Sequence, residues 1–593
     1  MHLALKKASK YMKGAQTPVF MLKNMAGRRQ ILYLLLIILV FFVGCNPDKT
    51  TVRIAVTTDV HGMIYPHDLI SRTPSDHSLA HIYNYVCKQR GKEDTIFFLL
   101  DNGDFLQGQP TVYYYNFVDT VREHLSARVM NFMEYDAGTV GNHDIETGPL
   151  VYKRVGTTFQ FPWLAANAVN STTGEPYFEP YTILNAGRKK IAILGLVTPG
   201  IPNWLPKNLW PEMEFRDMVE TARDWVPRII EEENPDLLVG LFHSGTDKSY
   251  GGNPDAYLNE NAVMLVAEQV PGFHIIFAGH DHRVSTQRIA NSAGDTVLVI
   301  DPGSHGRYAG EATITFDKQG IHIKGENIPM QAIDPSEDFM EQFATEFITI
   351  TEYLQDTITW LADDMVGMDA LFGPSSMLSL IHNVQLDLTG AQISFTAPLS
   401  ISAVLQEGPL LVSDMFKLYR FENMLFRMEL TGAEIDGFLE HAVGSWFNTM
   451  SGPGDHLLQF RPDQPGRLAA PYYNFSSAAG INYTVDVTRA IGDRVSIQAL
   501  ADGTAFIDSL VYSVAVNSYR GNGGGGHLTD GAGITKEELA KRISWSTDRD
   551  LRFYLIEYLR QQDTLRPHTE LNWACIPLHL AGPASVIDRK VLD

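Results

Sequence analysis

Cysteine is scarce, with three residues in 593. Cys45 ends an apolar run, while Cys87 and Cys575 stand in opposite halves of the chain, with no zinc-site spacing and no adjacent base. Structural thiolate chemistry is therefore excluded, and both are read as buried or incidental. Positive charge is also short. Lys and Arg number 47 against 69 Asp and Glu, a net charge of −22. That excludes sequence-independent binding of a nucleic-acid polymer, which needs a basic surface. An anionic substrate would have to be drawn in locally, by metal ions or a few arginines. No segment is of low complexity and no period of 20–50 residues recurs, so neither long disorder nor a repeat architecture is expected. Long apolar runs are missing except for Ile31–Val43. That run is shorter than the roughly 20 residues a membrane span needs, and after Arg28 and Arg29 it fits a secretory signal.

The run ends in "FVGC", which resembles a bacterial lipoprotein cleavage site, with Phe42 standing where Leu is usual. On that resemblance residues 1–45 are a signal peptide. Cys45 carries the lipid that ties the mature protein to a membrane, and the protein is exported to the cell envelope. A short membrane anchor is the alternative.

A chain of this length divides into at least two cores. Between residues 51 and 316 one arrangement recurs, an apolar β-rich run closed by a polar cluster: "TVRIAVTTDVHG", "TIFFLLDNGD", "DAGTVGNHD", "KKIAILGLVTPG", "DLLVGLFHSG", "FHIIFAGHDH" and "DTVLVIDPGSHG". Such runs suit strands covered on both faces, with helices such as 217–234 between them, so an α/β layered fold is expected. Ligands in such sheets gather outside the carboxyl ends of the strands, where the polar clusters fall. Residues 331–362 read as one long amphipathic helix. The expected organisation is a domain over 46–330, a linker helix over 331–365 that could act as a hinge, and a second α/β domain over 366–593.

The strand ends supply Asp59 and His61, Asp104, Asn142 and His143, His243, and His280 with His282. Leaving His143 aside, four imidazoles, two carboxylates and an amide oxygen form a mixed nitrogen and oxygen donor set that suits Zn, Mn, Fe or Co better than Mg or Ca. Seven ligands exceed what one catalytic ion uses but fit two ions about 3.5–4 Å apart with one bridging carboxylate. Singly each motif is weak: a lone histidine such as His243 is commonly a core residue, and "GD" after a strand is commonly a turn. The ordered set is what carries the reading.

That order, D-x-H, GD, GNHD, H and GHxH, resembles the calcineurin-like metallophosphoesterases, and specifically the two-domain 5′-nucleotidase and 2′,3′-cyclic-nucleotide phosphodiesterase group. The resemblance implies a four-layer αββα first domain. It puts Asp59, His61, Asp104 and His282 on one divalent metal and Asp104, Asn142, His243 and His280 on another. It makes His143 the group that contacts phosphate, oriented by Asp144 or Glu146; the family usually has Asp where Glu146 stands. For either acid, capping of a helix N-terminus is the competing reading. His77, His81, His124, His274 and His305 match no ligand position and are left as structural, although His305, in "DPGSHG", lies on a strand end near the site, where contact with substrate is the alternative. From 366 to 530 the stretches "ISFTAPLS", "LYRFENMLFRMELTGAEIDGFLE", "YYNFSSAAGINYTVDV" and "VAVNSYRGNGGGGH" resemble the same family. They imply a nucleobase held between Phe421 and Tyr519, with Asn423 and Gly480 in the same substrate site. The glycines at 523–526 would let backbone approach the ligand. "FTAPLS" lacks the arginine that 5′-nucleotidase members carry there. The implied function is hydrolysis of 2′,3′-cyclic nucleotides and 3′-nucleotides by a metal-bridging hydroxide, in a monomer. The alternatives are a 5′-nucleotidase or UDP-sugar hydrolase, and a surface nucleotide-binding protein that has lost catalysis.

Overall fold

The computed structural model describes residues 49–249, 257–464 and 466–592. The signal peptide and Cys45 lie outside them. Among the described residues no helix is long and apolar enough to cross a membrane.

All seven polar-ended runs are strands. Thr50–Thr57, Ile96–Asp101, Ala137–Thr139 and Trp163–Leu164 lie parallel in one six-stranded sheet. Lys189–Val197, Leu237–His243, Ile275–Phe277 and Thr296–Pro302 lie parallel in a second, edged by the antiparallel Tyr181–Ala186 and Val284–Ala290. Burial follows position: every residue of Leu237–His243 is buried, while the edge strand Val284–Ala290 is largely exposed. The sheets meet face to face. Thr139 Oγ1 donates to Leu241 O across them at 2.9 Å, and a Cβ on Gly195 would collide with Leu164. Helices cover the outer faces, Leu79–Arg90 on one and Met218–Glu233 on the other. The second starts at Asp217, whose carboxylate accepts from Val219 and Glu220 N–H, and stops at Asn234 in the left-handed conformation. Four layers, helix–sheet–sheet–helix, result.

The single linker helix does not form. Two helices, Glu337–Gln342 and Ala344–Gln355, break at Phe343 (φ −112°, ψ 18°), whose carbonyl also accepts from Tyr65 Oη. Residues Thr357–Leu361 are a strand between Gly408–Leu411 and Thr564–Leu565. The alternation in "TITWL" and its β-branched residues favour that pairing once a partner is present. Phe339, Phe343, Ile350 and Leu354 join a core that continues to Phe416, Leu418 and Leu555, so the segment is packed on both sides.

The second domain is built on a five-stranded sheet in the order Ser477–Ala479, Ile393–Thr396, Val511–Asn517, Leu425–Thr431, Ile543–Ser546. Helices Ser376–Thr389 and Gly432–Trp446 pack on it. The described residues of 51–314 and 323–592 form one compact unit. Cys87 and Cys575 are both free thiols, the first exposed and the second buried.

Candidate active site

The polar strand ends converge. Asp59, His61 and His282 place one ligand atom each within 4.8 Å of one another, and Asp104, His243 and His280 do the same. Asn142 belongs with the second group, its Oδ1 3.1 Å from His243 Nε2 and 2.9 Å from His280 Nδ1. Asp104 Oδ2 lies 3.1 Å from His243 Nε2.

The backbone is bent to make this possible. Ten non-glycine residues among those described have positive φ, and six are here: Asp59, His61, Asp104, His280, His282 and His305, with φ between 49° and 74°. Left-handed backbone costs such residues about 1–3 kcal/mol each and persists only where surroundings over-determine it. They do so here. Asp59 N–H donates to Gly103 O at 2.9 Å, His61 N–H to Asp104 O at 3.0 Å and His305 N–H to Asp59 O at 2.8 Å. The motif glycines interlock the loops: a Cβ on Gly141 would strike Asp104 Oδ1 and N, and one on Gly279 would strike Thr58 Oγ1.

The ring nitrogens are aimed. His61 Nδ1 donates to Gln107 O (3.0 Å) and His243 Nδ1 to Asn102 O (2.7 Å), which turns each Nε2 to the centre. Burial keeps His61 and His280 neutral, each pushed down to about 4, as a ligand requires. His61 Nε2 then lies 3.1 Å from His282 Nε2. Asp59 Oδ1, fully buried, lies 3.2 Å from His282 Nε2 and makes no hydrogen bond, while Oδ2 is taken by Thr58 Oγ1 and His280 N–H. Crowded lone pairs and an orphaned carboxylate oxygen are what a cation relieves, so the donor set fits divalent metal.

His143 stands on the short helix Asn142–Glu146 after Gly141. Its Nδ1 donates to Glu146 Oε2 at 2.5 Å and its amide to Asp104 Oδ1 at 2.7 Å. Burial disfavours charge on the ring, but Asp104 and Glu146 outweigh it and lift its pKa to about 9. Asp144 does not touch the imidazole. Its carboxylate accepts from the Gly141, Asp104, Phe105 and Leu106 amides at 2.8–3.0 Å, capping the short helix and pinning the loop that carries Asp104.

A cleft of about 1300 Å³ opens from His61, His143, His282 and His305 to Ser400, Ser402, Val404, Arg420 and Phe421. It exceeds the roughly 300–1,000 Å³ usual for a small-molecule site. Of the four residues expected at a base, Phe421 lines it. Tyr519 lies on the short helix Ser518–Gly521 that leads into the glycine-rich loop, at whose start Asn522 Nδ2 donates to Trp204 O (3.2 Å), and the Trp204 ring sits 5.5 Å from that of His280. Asn423 is buried behind Phe421, its carbonyl accepting from Leu551 N–H and its side chain meeting Tyr419. Gly480 is not at the cleft. It sits at the end of strand Ser477–Ala479 away from Ser476, with φ 85°, and a Cβ there would strike Gln392 O. Its glycine serves strand packing.

His81, His124 and His274 bond to Ser78 Oγ, Asn116 Oδ1 and Leu238 N–H and are structural. His305 is different. Its ring lies 5.3 Å from His61 and 5.9 Å from His282 and lines the cleft, as does His77. The sequence signal for His305 was its place in the last polar strand end, "DPGSHG"; Trp204 had no comparable signal.

Residues 52–284 match the calcineurin-like phosphoesterase family, and residues 361–530 match the 5′-nucleotidase, C-terminal domain family. The chain is a metallophosphoesterase of the 5′-nucleotidase family. This metallophosphoesterase is 26% identical over 91% of its length to the trifunctional nucleotide phosphoesterase protein YfkN of Bacillus subtilis, of which it spans 40%. It is 23% identical to a 2′,3′-cyclic-nucleotide 2′-phosphodiesterase/3′-nucleotidase of Yersinia enterocolitica, over 90% of this chain and 89% of that one. Its fold is that of a 5′-nucleotidase precursor from Thermus thermophilus (TM-score 0.60, 22% identity, 89% of this chain and 99% of the other).

Proposed function

We propose that this metallophosphoesterase, exported to the cell envelope, hydrolyses 2′,3′-cyclic nucleotides to 3′-nucleotides and these to nucleoside and phosphate. The observation that carries the reading is the single cleft running from the two histidine–carboxylate clusters to Phe421, which suits a substrate with phosphate at one end and a base at the other. The arginine-free "FTAPLS" and the name of the Yersinia relative favour the cyclic and 3′ substrates over 5′-nucleotides.

Asp59, His61 and His282 would hold one divalent ion, and Asp104, Asn142, His243 and His280 the other. The chemistry a bound pair supplies is neutralisation of phosphoryl charge and a water of lowered pKa. His143 presents Nε2–H to the phosphoryl group, its ring fixed and kept protonated by Glu146, and stabilises charge that grows in the transition state. Asp144 acts through the Asp104 loop, as a positioning residue. Phe421 and Tyr519 take the two faces of the base, a contact worth about 1–3 kcal/mol and tolerant of base identity. In the first turnover water adds to phosphorus and the P–O2′ bond breaks; in the second another water displaces the 3′-oxygen.

Phosphate release and product analysis with 2′,3′-cyclic AMP, 3′-AMP, 5′-AMP and UDP-glucose, in Mn, Co or Zn, test the assignment. Turnover of the first two is expected. Preference for 5′-AMP or the UDP-sugar would overturn it.

A further inference from the structure

Three arginines of the second domain are almost wholly inside the protein; Arg494, at 1% exposure, donates to Phe447 O, while Arg520 at 4% and Arg552 at 0% lie beside Tyr519 and the Phe421 loop. Neither Arg520 nor Arg552 places its guanidinium in a hydrogen-bonded carboxylate pair among the described residues; that of Arg552 lies 3.8 Å from Glu422, and Asp550 Oδ1 accepts from the Arg552 backbone N–H at 3.0 Å. Burying a guanidinium without such a partner is costly, so what each holds in exchange is informative. Both hold backbone carbonyls of loops that carry aromatic rings.

Arg552 Nε donates to Tyr419 O at 2.9 Å and Nη2 to Arg420 O at 2.8 Å, the two residues before Phe421. Its guanidinium lies 4.1 Å from the Phe416 ring centroid and 4.8 Å from that of Tyr113 in the first domain. The adjacent Leu551 N–H donates to Asn423 O at 2.9 Å, so the loop is held on both sides of Phe421. Arg520 does the equivalent for the other loop. Nη1 donates to Gly524 O (2.6 Å) and Asn474 Oδ1 (3.2 Å), and Nη2 to Tyr473 O (2.8 Å). The guanidinium carbon lies 5.3 Å from the Tyr519 ring, and the Tyr473 ring meets Phe421 edge-on at 6.4 Å. The glycine run is shaped around these groups. A Cβ on Gly524 would meet the Tyr519 ring, and one on Gly525 would meet the Arg520 guanidinium. The chain's own side chains occupy the space that those two glycines vacate.

We propose that Arg552 and Arg520 are positioning residues for the nucleobase slot, each fixing the loop of one stacking ring, so that a base enters a preformed gap. This rests on the proposed placement of a base between Phe421 and Tyr519. A stacked base gains most when its platforms are already immobile, because loop-ordering entropy is then not lost on binding. A planar fork with several fixed donors can hold two or three carbonyls at once, which lysine cannot.

The test is steady-state kinetics of R552M, R552K, R520M and R520K in the full protein, on 3′-AMP and 2′,3′-cyclic AMP and on glycerol 1,2-cyclic phosphate, which has no base. Thermal melts run alongside. KM for both nucleotides should rise about tenfold, the share expected of one stacking contact, with kcat and turnover of the base-free ester little changed. Lysine variants should restore little. Equal loss on all three substrates, or unchanged nucleotide KM, would overturn the proposal. F421A and Y519A separate the two readings. If these also leave nucleotide KM unchanged, the base slot itself is wrong. If they raise KM and the arginine variants do not, only the positioning role fails. Where a Met variant does not fold, its Lys partner, which keeps the charge without the fork, is read by the same criteria.

Discussion

Within "GNHD" and the two residues after it, four polar side chains have four different surroundings. Asn142 faces the His243–His280 cluster, His143 the cleft, Asp144 four backbone amides and Glu146 the His143 ring. Substitution should separate them. H143A should lower kcat by about 10²–10⁴-fold with metal content unchanged, as loss of a charge-stabilising proton donor does. E146Q should lower it less, since the amide still bonds Nδ1. D144N should weaken metal retention and lower the melting temperature, because its acceptors hold the Asp104 loop; melting curves and metal analysis of the three variants distinguish the outcomes. A second residue-scale effect lies at Glu422. Burial pushes its carboxyl up to about 8 although Arg552 is 3.8 Å away, and neither oxygen makes a hydrogen bond. A carboxyl that binds its proton more tightly folded than unfolded contributes stability at low pH, and that contribution is lost as pH rises from about 4.5 to about 8. E422Q should therefore show a smaller fall in Tm between pH 5 and pH 8 than the parent chain; parallel curves in scanning calorimetry would contradict this.

At the scale of elements, short loops after long buried strands do the positioning, and their glycines are packing requirements. The Gly141 Cβ position coincides with the Asp104 carboxylate. G141A should abolish activity and metal binding together while the circular dichroism spectrum stays native. Gly480 lies in an equally tight place remote from the cleft, with φ 85°. G480A should cost on the order of 2 kcal/mol, seen as a shifted urea midpoint, and leave nucleotide KM unchanged. The strands and their polar ends were legible in the sequence because a strand covered on both faces must be apolar throughout. The break at Phe343 and the strand Thr357–Leu361 were not. The apolar period of 331–362 suits a helix, and only the partner strands, far along the chain, make "TITWL" extended.

For the whole molecule, Asp550 and Arg552 reach Tyr113, Arg549 Nη1 donates to Phe117 O and Lys536 Nζ to Asn203 Oδ1, joining the second domain to the helical segments Pro110–Tyr113, Tyr114–Val118 and Ile201–Asn203 of the first. The clusters carry the stability consequence. Six strained residues and a buried, unbonded Asp59 oxygen make the metal-free centre costly, so divalent ions should stabilise the fold by linkage. Chelation with EDTA should abolish turnover and lower Tm by several degrees, and Mn, Co or Zn should restore both. A Tm indifferent to metal would contradict this account of the donor set.

The amino-acid order alone determined the layered α/β architecture, the seven strand-end clusters and the metal-binding character of their residues. These depend on local patterning and on side-chain chemistry that a strand end exposes wherever it lies. Which acid serves His143, that Gly480 packs rather than binds, and what the buried arginines hold depended on distances between segments far apart in sequence. Hydrogen bonds and close packing act over a few ångströms, and only the folded chain sets those separations.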